Sequence, residues 1–140
     1  MIQRISEKPL QLRSALKYIY DEFVDEKKLF QTNYSLFSFA LVYGLMKSKR
    51  SDKTLTSDFI KINTIGDDQI KDVIDIIYQV LDDSDKEEGT WQEMLHIADG
   101  GLLELKEIYD KNKDFRIQNI VSEAANIWNY RITDLKNINL

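Results

Sequence analysis

Apolar residues recur along this chain with a helical period. Leu12, Leu16, Ile19, Tyr20 and Phe23 stand three or four apart, which predicts an amphipathic helix over 9–28. Pro9 suits its first turn, where a missing N–H costs nothing, and Lys27-Lys28 suit its C-terminus. The run from Leu36 to Met46 is apolar on nearly all sides. It predicts a second helix over 34–48, capped by Asn33 or Ser35 and the most buried of the set. Residues 51–57 are polar and read as a loop. Phe59-Ile60-Lys61-Ile62 alternates only in part, giving one short strand or extended link near residues 58–63. Ile70, Val73, Ile74, Ile77, Val80 and Leu81 form the cleanest stripe and predict a helix over 67–82, with Asp67 and Asp68 at its positive end. Thr90 with Glu93 has the form of a capping box and opens a helix over 90–110, whose inner face is Trp91, Met94, Leu95, Ala98, Leu102, Leu105 and Tyr109. Ile117, Ile120, Val121, Ala124 and Trp128 predict a last helix over 116–134. The expected fold is all-α, a compact bundle of about five helices in a single helical domain, residues 1–140.

Gly100-Gly101 interrupts the fourth helix. Each glycine costs ~1 kcal/mol against alanine in a helix interior, so something requires the pair. Three requirements fit. One is a break between Asp99 and Leu102. Another is close packing against a second helix, with Ala40 and Gly44 the natural facing residues. The third is a bend that displays Asp99 and His96 to a partner.

Composition narrows the chemistry. The 140 residues contain no cysteine and one histidine, His96. Disulfide scaffolds, Cys-liganded zinc, iron–sulfur clusters, thiol catalysis and multi-His metal sites are excluded. The Asp-rich stretch from Asp82 to Gly89 fails the EF-hand pattern in both registers, because glycine never reaches position 6. The chain has no Gly-rich phosphate loop, no GxSxG and no HExxH. His96 has Glu93 three residues before it and Asp99 three after, a spacing that permits a proton-shuttling pair. No nucleophile with motif context accompanies it, and the plain reading is a helix-surface histidine. The expectation is no enzyme and no cofactor. No apolar run approaches the ~18 residues of a membrane span. The N-terminal residues lack the apolar core of a signal peptide, so a cytoplasmic protein is expected.

Charge is uneven. Residues 1–56 carry net +4, residues 57–110 carry −11 and residues 111–140 carry +2, giving −5 in all. The acidic middle reads as solvated helix faces or as a docking surface for a basic partner, with Asp82, Asp83, Asp85, Glu87, Glu88, His96 and Asp99 as candidates. Lys47, Lys49, Arg50 and Lys53 are the candidates to lie near nucleic acid, where each cation that meets a phosphate releases counterions. The negative total argues against a stand-alone DNA binder. Crowded aromatics in the first third, Tyr18, Tyr20, Phe23, Phe30, Tyr34, Phe37, Phe39 and Tyr43, are placed by helical spacing mainly in the core rather than as base-stacking platforms.

One arrangement is more particular. Phe37-Ser38-Phe39-Ala40-Leu41-Val42-Tyr43-Gly44 runs into Lys47-Ser48-Lys49-Arg50. Phe59-Ile60-Lys61-Ile62 follows, then the isoleucine-rich acidic helix, then Ile97-Ala98-Asp99-Gly100-Gly101-Leu102-Leu103-Glu104-Leu105. Over roughly residues 35–110 this order resembles the family of DNA phosphorothioation (Dnd) system-associated protein 4. The resemblance implies an accessory of bacterial anti-phage defence systems that mark DNA with sulfur and restrict unmarked DNA, and it transfers no catalytic motif. The function expected on this ground is a non-enzymatic accessory or regulatory subunit of a DNA-modification and restriction system. It would dock a basic protein partner and touch DNA weakly or indirectly. The alternatives are an acidic immunity or antitoxin-type inhibitor of a basic toxin, and a small DNA-binding transcriptional regulator.

Overall fold

The computed structural model describes residues 4–82 and 87–114. They form a mostly helical protein with four helices and a small two-stranded antiparallel sheet. The predicted helix over 116–134 lies outside the described residues. The chain divides into two compact units, Met1–Leu103 and Glu104–Leu140.

The first segment departs from the expected helix over 9–28. A 3-10 turn at Ile5–Glu7 is followed by Lys8 in extended conformation, as the residue before a proline prefers. Strand β1 then runs Gln11–Ser14, with Leu12 and Ser14 buried and their neighbours half-exposed. Helix α1 begins only at Lys17, spans Lys17–Tyr20, and continues as π-helical turns over Asp21–Glu26. Of the predicted stripe, Leu12, Leu16, Ile19, Tyr20 and Phe23 are all buried. The pattern predicts the burial of all five, but Leu12 lies in a strand and Leu16 precedes the helix, so the secondary structure of the first two differs from the expectation. An apolar residue four positions before a helical stripe continues it equally well as the inward residue of a strand.

Strand β1 pairs with β2, Ser57–Lys61, which realises the short strand expected near 58–63. The ladder places Arg13 opposite Asp58, and the two side chains pair at 2.6 Å.

Helix α2, Asn33–Met46, is capped by Thr32, whose side chain accepts from Ser35 N at 3.1 Å. Leu36, Phe37, Ala40, Leu41, Tyr43 and Gly44 are buried along it, while Phe39 is only half-buried and packs against Phe30 with the rings tilted by 56°. The helix closes with Ser48 at φ 54°. Lys49 N donates to Gly44 O and Ser48 N to Leu45 O, the two bonds of a Schellman motif.

Helix α3, Asp68–Leu81, is capped by Asp67, which accepts from Gln69 N and Ile70 N. Ile74 and Ile77 are buried, but Val80 is 71% exposed. Successive residues turn by about 100°, which leaves Ile76 and Val80 off the buried line of Ile70, Ile74, Ile77 and Leu81. Helix α4, Glu87–Asn112, starts before Thr90. Thr90 is therefore a buried residue inside the helix, and Glu93 is not part of a capping box.

The helix does not break at Gly100-Gly101, so close packing is the requirement that the structure shows. A Cβ on Gly101 would overlap Ala40 O and lie 2.7 Å from Gly44 N. A Cβ on Gly100 would lie 2.5 Å from Arg50 Cα. Helices α2 and α4 thus meet backbone to backbone at Ala40, Gly44 and Gly101, and residues 49–50 cross the same helix at Gly100. In the second unit, residues 104–112 complete α4, where Lys106 pairs with Asp110 one turn on at 2.9 Å.

Candidate functional site

Two buried carboxylates anchor the first unit. Asp75 on α3 accepts from Ser6 N and Ser6 Oγ, each at 2.9 Å, and from Arg4 Nε at 2.5 Å. Arg4 reaches on to Asp72. The 3-10 turn is thereby fastened to α3 by three donors on one carboxylate. No sequence motif marked Asp75; the signal was its place between Ile74 and Ile77, against the inner line of an amphipathic helix.

Asp99 is the second. It is 1% exposed, accepting from Ser14 Oγ at 2.5 Å and from Ala15 N at 2.9 Å. Ser14 Oγ also accepts from Leu16 N at 2.9 Å. One carboxylate on α4 thus holds the end of β1 and the entry to α1. Burial pushes the Asp99 carboxyl above the usual carboxylate range, opposed by the bonds from Ser14 and Ala15 and by the charges of His96 and Lys53. The phenol of Tyr20, wholly buried, is raised well above its ordinary value by the same loss of solvent and by the negative charge of Asp99.

Asp99 was expected to face a partner. Its burial removes it from any docking surface and makes it an internal tie instead. His96 is half-buried: its backbone O accepts from Ser51 N at 2.9 Å, and its Nδ1 is buried with no partner among the described residues. Glu87 and Glu88 lie in the first turn of α4, Asp83 and Asp85 lie outside the described residues, and Asp82 is exposed at the end of α3.

The basic residues lie at the end of α2 and in the loop after it, with Lys49, Arg50 and Lys53 exposed and Lys47 half-buried. Their charge is partly cancelled. The Arg50 guanidinium grips Glu93 bidentately, Nε to Oε1 at 2.9 Å and Nη2 to Oε2 at 3.0 Å, and its Nη1 pairs with Asp52. This pairing turns Glu93 and Arg50 into a clasp between α4 and the loop that follows α2. Beside the clasp is a shallow cleft of about 220 Å³ floored by Gly44, Leu45 and Ile97 and rimmed by Ser48, Lys49, Arg50 and Glu93.

The feature that sequence periodicity missed is the outer face of α3. Ile76 is 62% and Val80 is 71% exposed. They sit one turn apart, with exposed Gln79 and the Arg4-paired Asp72 to one side along the helix and exposed Asp82 just past its end. Counting Val80 into the apolar stripe hid this pair, because a stripe of six apolar positions is wider than the line one neighbour can cover.

Among the described residues no helix is long and apolar enough to cross a membrane. No family model, curated protein or solved structure matches the chain.

Proposed function

We propose that this protein is a non-enzymatic accessory or regulatory subunit that works by protein–protein docking. Its setting would be the cytoplasm of a bacterium with a DNA-modification and restriction system of the kind the family resemblance implies. The observation that carries the docking reading is the outer face of α3, where two large apolar side chains stand in solvent, more exposed than any other large apolar residue described. A lone exposed residue would be unremarkable. An adjacent pair, with exposed Asp82 at the C-terminal end of the helix, suits a partner that is basic beside an apolar contact. The internal use of Asp75, Asp99, Glu93 and Arg50 supports the same reading, since the groups best suited to acid–base work are engaged in holding elements together. The cancellation of the Arg50 charge supports weak rather than tight contact with DNA.

Co-expression with the products of the genes flanking its own tests the proposal. A neighbour is expected to co-purify with the wild type and to be lost from the Ile76→Glu/Val80→Glu double variant, whose melting temperature stays close to wild type because both sites face water. Retained binding by the double variant, or no co-purifying neighbour, would overturn it.

A further inference from the structure

We infer, resting on the docking reading above, that the outer face of α3 receives an amphipathic helix of another protein, with a lysine or arginine of that helix at the C-terminal end of α3. Gln69, Val73, Ile76 and Val80 follow one another at intervals of four, three and four residues. They therefore share about 60° of arc over about 16 Å of helix. Ile76 and Val80 stand in solvent at 62% and 71%, Gln69 is exposed and Val73 is half-buried. This line runs beside the inward line of Ile74 and Ile77 and carries the apolar face past what the rest of the chain covers. Alternating intervals of three and four, with β-branched residues at successive positions, form the seam that a second helix fills, knob into hole.

Main-chain chemistry favours a helix over an extended segment. The side chains of Val73, Ile76 and Val80 offer no hydrogen-bond donor or acceptor. A strand laid on them would cover its own N–H and C=O groups without partners, whereas a helix satisfies its own internally. Charge sets the chemistry of the helix. Cations ordinarily occupy the last turn of a helix, against its negative pole. The last turn of α3 has no basic residue, and Asp82 follows it. Asp82 is exposed, and among the described residues no cation pairs with it. Val80 lies in that same turn, so a helix seated on Val80 brings its flanking cation to the uncompensated end. Asp72, held by Arg4, makes no such demand.

The test titrates synthetic peptides into the full chain, labelled with nitrogen-15. The probe is a capped peptide of about 18 residues, long enough to span the line, built from leucine, alanine and lysine with the leucines three and four apart. A permuted peptide of the same composition scatters the leucines round the helix, and a third carries glutamate in place of lysine. Amide shifts are expected to concentrate at Gln69, Val73, Ile76 and Val80, and the probe should gain helical circular dichroism as it binds. Ile76→Ser/Val80→Ser, both sites facing water, should weaken the probe by about tenfold or more. Asp82→Lys should weaken it by up to about fivefold at low salt, an effect that fades as salt is added. Absence of binding at α3, equal binding of the permuted or the glutamate peptide, binding without gain of helix, or indifference to Asp82→Lys would overturn the inference. Attachment to phosphatidylglycerol vesicles that the double serine variant abolishes would overturn it too, assigning the face to lipid. A flanking-gene product that needs Ile76 and Val80, beside a probe that does not bind, would sink the helix and leave the docking reading standing. A probe that binds as expected, with no co-purifying neighbour, would do the reverse.

Discussion

Replacing Gly101 with alanine sets two known effects against each other. Helix propensity favours alanine by about 1 kcal/mol. Packing opposes it, because the new methyl would overlap Ala40 O and stand 2.7 Å from Gly44 N. Both are backbone atoms of α2 and neither can rotate away. Reaching ordinary contact requires α2 and α4 to part by roughly 0.7 Å or more, a gap that forfeits a quarter to a half of the dispersion well for atoms along the seam. Overpacking of this kind costs about 1–3 kcal/mol, and the immovable neighbours put it at the upper end. The expected net effect is a loss of about 2 kcal/mol. With a denaturant slope of about 2 kcal/mol per molar urea, the unfolding midpoint followed by circular dichroism falls by about 1 M. Gly66 is the internal control. A Cβ there meets nothing within 4 Å, and no glycine of the chain has positive φ. Gly66→Ala is therefore expected to stabilise by about 0.4–1 kcal/mol through the unfolded chain. Gly100→Ala should fall between the two, since its obstacle is residues 49–50 of a loop. An unchanged or raised midpoint for Gly101→Ala would refute the backbone-to-backbone crossing.

Other outcomes follow from the same structure. Ser48→Gly should raise stability by about 0.5–1 kcal/mol in urea unfolding, because Ser48 holds φ 54° at the end of α2 and glycine adopts that conformation without strain. Leu41→Ala should lose about 2–5 kcal/mol, and Phe39→Ala clearly less, since Leu41 is fully buried and Phe39 is not. Asp75→Ala leaves the buried Ser6 N–H and hydroxyl without their acceptor and should lose about 2–4 kcal/mol in the same assay. Tyr20 should ionise, read by ultraviolet absorbance, only as the chain unfolds in alkali. Its raised value means stability is intact below the ordinary phenol range and declines as pH climbs through and above it.

Local pattern determined much of this protein. The apolar run from Leu36 to Met46 needed no partner to be read as a buried helix, and the negative charge of Asp67 and Asp68 with the Ile70, Ile74 and Ile77 line located α3, because period and end charge are properties of a few neighbouring residues. The glycine pair showed in sequence that something required it, but a break, a close crossing and a bend each fitted, and only the unbroken α4 against Ala40 and Gly44 selects the crossing. What tertiary structure decided was every outcome set by a distant residue. Leu12 lies in a strand because β2, over forty residues later, offers a ladder, and no local window contains that pairing. Asp99 had the look of a surface acid until Ser14 and Ala15 supplied the two donors that make its burial tolerable. Arg50 was a free cation in sequence and half of a clasp in space, because Glu93 on α4 is brought to it by the helix crossing at Gly44 and Gly101. Val80 satisfied the stripe and still faces water, for a helix declares which residues are apolar while its neighbours decide how many of them are covered.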